Sequence, residues 1–230
     1  MGGLSDVDLE KQPLVGDRLP DVVVVKNSFW WRFVHWSGFF TGALTFVVGV
    51  TMCFHKNPQQ MQYSATLWTV GGLGFLLVDV MEFFTFTSDF LVRLNITCSI
   101  IGDTLYVIGS LGFFPQIYDI SDVFGIWGFI LGSIFIGCSQ LWKTFRIGCG
   151  QNGTFRFSNL FAGTDTVNQV ATELNLSIGA WCVFVGSIMY RIGPVKGPFH
   201  TEILIIWEAG SLFFLAGAFS LGYRYWIMGV

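Results

Sequence analysis

LVRLNITCSIIGDTLYVIGSLGFF, residues 91–114, is apolar enough to cross a bilayer, yet it places an aspartate, Asp103, near its middle. Its glycines set a pattern that recurs on both sides. Gly102 and Gly109 lie seven apart, and Gly132 follows Gly109 by 23. Gly42, Gly49 and Gly72 repeat both spacings, and Gly179, Gly186 and Gly210 repeat them with one extra residue in the second gap. A tryptophan stands three to five residues before the last glycine of each set: Trp68, Trp127 and Trp207. These spacings predict three copies of one two-helix unit.

Working outward, the chain of 230 residues is 53% hydrophobic and 12% charged, about half the charge of a soluble domain. About 20 apolar residues cross a hydrocarbon core of roughly 30 Å, and six segments are long enough: 32–54, 64–86, 91–114, 122–142, 171–190 and 203–224. The fold class expected is an all-α membrane protein, six transmembrane helices built as three parallel two-helix repeats. The hairpin modules occupy 29–87, 88–146 and 170–230, with a loop at 147–169 and a cytoplasmic, disordered tail at 1–28. That tail contains Glu10-Lys-Gln-Pro-Leu14-Val15, which resembles an acidic dileucine sorting signal.

Lysines and arginines orient the spans. The side holding both termini carries nine of them (Lys11, Arg18, Lys26, Arg32, Arg93, Lys143, Arg146, Arg156 and Arg224), and the other side carries Lys56, Arg191 and Lys196. Excess positive charge marks the cytoplasmic face. Both termini are therefore expected in the cytoplasm, in a plasma or endolysosomal membrane. Asn152, in a sequon on that face, is expected to carry no sugar. Units that each return the chain to its starting side share one orientation and are related by an axis along the membrane normal, so the expected packing is a pseudo-threefold ring, or two units plus a more loosely attached third. The glycines of each helix fall on one face, where small residues let membrane helices approach closely.

Ionisable groups inside a span are costly, and so are candidates for function. Asp103 lies near the midplane. Asp79 follows Gly72 by seven, at the repeat position held by Ser139 and Gly217. Glu82 stands one turn beyond Asp79, Glu208 sits in the outer third of the sixth span, and His35 is interfacial. A carboxyl in apolar surroundings is disfavoured in its charged form and can take up and release protons. The alternative is that hydrogen-bonded acids fix helix register. Cys53, Cys98, Cys138, Cys149 and Cys182 show no metal or redox spacing and are expected to act as small buried residues. No basic run suits nucleic acid, and no nucleophile elbow, zinc-protease helix, P-loop or dinucleotide loop occurs. No cofactor, no metal and no enzymatic activity are expected. The partners expected are the lipid bilayer and either other membrane proteins or a second copy.

The aromatic start Phe33-Val-His-Trp36-Ser-Gly38, the Gly42/Gly49 helix, the short loop and Trp68 before a glycine-rich second helix together resemble the YrhK-like membrane domain. That family is a two-helix module of unassigned biochemical function. The resemblance implies three tandem modules over 30–226 and a structural or assembly role, and it carries over no catalytic residue. The other expectation is a small proton- or ion-coupled transporter or channel using Asp103 and Asp79. Phe114-Pro115-Gln116 is also similar to the motif of PQ-loop transporters, but those are built from three-helix repeats and usually have seven helices, which six spans do not fit.

Overall fold

The structure is a computed structural model, and it describes residues 28–55, 58–86, 90–150, 153–192 and 200–229. The acidic tail and its sorting motif, Lys56, Asn152 and the Gly193–Pro198 turn lie outside the described residues. Six long helices are apolar enough to span a membrane, and no strand occurs among the described residues. They are α1 (Phe29–Cys53), α2 (Pro58–Thr85), α3 (Phe90–Gly112), α5 (Asp122–Cys149), α6 (Thr164–Ile192) and α7 (Thr201–Trp226). A single turn, α4 (Pro115–Tyr118), and a 3₁₀ turn (Phe157–Phe161) lie between spans. In lipid the backbone must satisfy its own hydrogen bonds, which a helix does within one segment. Hydroxyls follow the same rule: Thr66, Thr97 and Thr104, all exposed on the outside of the bundle, each donate to the carbonyl four residues back, at 2.7–2.8 Å.

The observed helices are longer than the apolar segments. The loop expected at 147–169 contracts, because α5 runs to Cys149 and α6 begins at Thr164. Lys143, Arg146, Asn168 and Glu173, whose polarity blurs those boundaries in the sequence, lie within helices.

Each long helix packs against two others, in the cyclic order α1, α2, α3, α5, α6, α7 and back to α1. The six helices therefore form a closed ring of three hairpins. The glycines set the register of each hairpin. A Cβ on Gly42 would stand 3.0 Å from the Gly71 carbonyl oxygen and 2.9 Å from Phe75. On Gly102 it would meet Gly132 and Ile136, and on Gly179, Gly210 and Phe214. Gly71, not Gly72, is thus the partner of Gly132 and Gly210. Gly72 points across the seam to Val107 of α3. The spacing pattern misses this by one residue because two adjacent glycines can each complete it.

The same one-residue correction removes Trp127 from the repeat. Gly49 packs on Trp68, Gly186 on Trp207, and Gly109 on Phe129, three residues before Gly132. Trp127 is exposed on the outer surface. Trp68, Phe129 and Trp207 meet on the axis of the ring, with centroid separations of 5.9, 6.0 and 5.9 Å and all three contacts edge-on. Three near-equal distances among three repeat-equivalent rings are the signature of a pseudo-threefold axis. Phe113 stacks on this triad from beside Phe129, and Tyr118 bonds Tyr190 at 2.6 Å above it. The half of the ring away from the termini is closed by aromatic side chains.

Candidate functional site

In the corrected register, Asp79 stands eight residues after Gly71, and its counterparts are Gln140 and Ala218 rather than Ser139 and Gly217. Glu82 stands eleven after Gly71, and its counterparts are Lys143 and Leu221. These positions face the interior of the ring in its terminal half, the half into which α1 begins and α7 ends. Polar side chains of several helices meet there.

Glu82 is the hub. Its Oε2 accepts from Lys143 Nζ of α5 at 3.2 Å, and its Oε1 meets His35 Nε2 of α1 at 3.3 Å. The other ring nitrogen of His35 meets the Tyr225 hydroxyl of α7 at 3.3 Å. The imidazole lies stacked on Trp31, 4.6 Å between centroids, and Trp31 is in turn held by its indole N–H to Thr85. His35 is 3% exposed, so it faces the protein interior rather than the outside of the bundle. Trp31 and Tyr225 pack against its ring.

One turn deeper, Asp79 of α2 and Asp103 of α3 are both buried, and their carboxyl groups interact electrostatically with each other. Asp103 Oδ2 has no partner. Beside the pair, Ser139 donates to Asn95 Oδ1 at 3.0 Å and lies 2.6 Å from Ser99, while Tyr106 bonds Ser133 at 2.9 Å. Glu173 of α6 completes the group, interacting electrostatically with Lys143, Glu82 and Asp79. Four carboxyl groups from three helices thus share one lysine.

Three of the four sequence candidates, Asp103, Asp79 and Glu82, come together. Glu208 does not. It lies in the opposite half, on the seam between α7 and α1, where Thr51 donates to its Oε1 at 3.1 Å. Lys143 and Glu173 were not among the candidates, since Lys143 falls just beyond the apolar segment 122–142 and Glu173 at the edge of a span. Their signal was available in the register, because Lys143 falls at the Glu82 position of the second hairpin. Among the cysteines Cys53 is buried, donating to Gly49 O and to Ser64 Oγ, whereas Cys138 is exposed on the outside of the bundle. Among the described residues, no group of three His, Cys, Asp or Glu is placed to hold a metal ion. No known protein family, curated protein or solved structure matches the chain.

Proposed function

We propose that this integral membrane protein is a proton-coupled transporter whose proton-binding group is the Asp79–Asp103 pair. The observation that carries the reading is two interacting carboxyl groups buried together in the ring interior, one oxygen of Asp103 having no partner. Like charges so placed cannot both stay ionised, and one proton on the pair relieves the repulsion. Tyr225, His35 and Glu82 form a hydrogen-bonded file leading from the terminal end toward the pair. By the distribution of lysine and arginine, that end faces the cytoplasm. The test is proton flux into proteoliposomes holding a pH-sensitive dye, driven by a potassium diffusion potential. Wild type carries flux above empty liposomes, and Asp103→Asn and Asp79→Asn lose it while eluting as the same folded species. Wild-type flux equal to that of empty liposomes overturns the proposal.

A second reading is favoured by the aromatic triad and the tight glycine seams, which suit a rigid, closed scaffold. It is a non-enzymatic structural or assembly subunit built from three YrhK-like modules. Purification in a mild detergent separates the two: a scaffold comes out in a stoichiometric larger complex, and a transporter comes out as this chain alone or as copies of it.

A further inference from the structure

Glu173 is the carboxyl of the network that the proposed path leaves unused. Its Oε2 is enclosed and has no hydrogen-bond partner. The charged groups acting on it come from every neighbouring side: Lys143 of α5, Glu82 and Asp79 of α2, and Arg224 of α7. Arg224 is already held by Asp165, Nε to Oδ1 at 2.7 Å, and Lys143 is held by Glu82 at 3.2 Å. One ammonium therefore acts on two carboxyl groups on different hairpins and is bonded to one of them.

A second observation points the same way. Gln140 lies one turn before Lys143 on the same face of α5 and is 4% exposed, and its Oε1 also has no donor. With Asp103 Oδ2, three enclosed acceptor oxygens on three successive helices of the ring lack a donor. Enclosed acceptors without donors are costly, and a carboxylate without a counter-ion more so. A proton on Glu173 removes the charge and turns one of these acceptors into a donor.

We infer that Glu173 is a second proton-binding site and that Lys143 is its exchanging counter-ion. While Lys143 pairs with Glu82, Glu173 holds a proton. When Nζ moves to Glu173, the Glu173 O–H bond breaks and that proton leaves. Glu82, freed of the ammonium, gains a proton over the His35 ring, whose two nitrogens meet Glu82 and Tyr225. Lys143 keeps its three protons throughout, and the three groups together stay neutral before and after. The inference takes its role in transport from the proposal above, but the binding of the proton stands apart from flux.

Infrared titration of the full-length protein in lipid nanodiscs tests it, because a protonated carboxyl has a carbonyl band that neither carboxylate nor amide gives. Wild type is expected to show a carboxylic band that fades as pH rises, with one component absent in Glu173→Gln. In Glu82→Gln, Lys143 turns to Glu173 and that component is lost over the range where wild type shows it. If Glu82→Gln fails to fold, Lys143→Met decides: the component then persists to pH values at which wild type has lost it. The inference is overturned if Glu173→Gln leaves the band unchanged, or if the component titrates in the folded variant as in wild type. A flux without a Glu173 band overturns this inference and leaves the Asp79–Asp103 proposal standing. A Glu173 band without flux does the reverse.

Discussion

Glu82 and Lys143 occupy the same position in two successive hairpins, each eleven residues beyond its packing glycine, and their side chains meet at 3.2 Å near the ring's interior. The same position in the two hairpins thus holds opposite charges that bond each other. Removing either partner breaks a half-buried charge pair, at a cost of about 1–3 kcal/mol, whereas removing both costs less. Glu82→Gln and Lys143→Met are each expected to lower the unfolding midpoint in detergent more than the double variant does relative to either single. A double-mutant cycle on thermal unfolding checks this, and additive losses would contradict the coupling.

The corrected register makes Phe129, not Trp127, the axial residue of the second hairpin. Phe129→Ala is expected to destabilise by about 3–5 kcal/mol, as for a large ring removed from a packed core. Trp127→Leu, on the outer surface, should change stability by less than about 0.5 kcal/mol. Equal losses in the two variants would restore the tryptophan to the repeat.

Gly74 has the Gly38 carbonyl oxygen 2.6 Å from where a Cβ would stand, and that neighbour is backbone. Gly74→Ala should therefore force α1 and α2 apart and cost about 1–3 kcal/mol. Gly163, with nothing within 4 Å of its Cβ position, is the control and should tolerate alanine. Thermal denaturation of the two variants side by side makes the comparison.

The orientation expected from lysine and arginine has the segment between α5 and α6 on the cytoplasmic side. Expressed in a cell that glycosylates its secretory membranes, the chain should show no mobility shift from Asn152 on glycosidase treatment. A shift abolished by Asn152→Gln would invert the orientation.

Much of this architecture is legible before any coordinates. Length and apolarity define six spans, since a bilayer imposes one length on every helix that crosses it. The glycine spacing gives three hairpins, since close approach recurs wherever the module does. Details finer than a turn are not legible. Gly71 and Gly72 satisfy the spacing equally, and the choice depends on whether a glycine faces its own hairpin or the next, which is a property of the assembled ring. His35 reads only as interfacial because Glu82 and Tyr225, which its two nitrogens meet, come from other helices. Lys143 reads as lying just beyond a span because a single charge at the end of an apolar run looks the same whether it meets water or Glu82. Asp103 is legible as unusual, but its interaction with Asp79 joins residues 24 apart on two hairpins and leaves no trace in spacing.

The ring closes where α7 meets α1, and Phe29 touches Trp226 there, 5.6 Å between centroids. Ribosomes make the chain from one end, so this last seam forms only after nearly every residue has been synthesised. By then the first hairpin has long since entered the membrane, with Asp79 and Glu82 still lacking the Asp103 and Lys143 that join them in the finished protein. Biogenesis must therefore hold an acidic hairpin in the bilayer, or at its insertion site, until the second hairpin arrives. A nascent chain arrested after α2 should stay bound to the insertion machinery, and one arrested after α5 should be released into lipid.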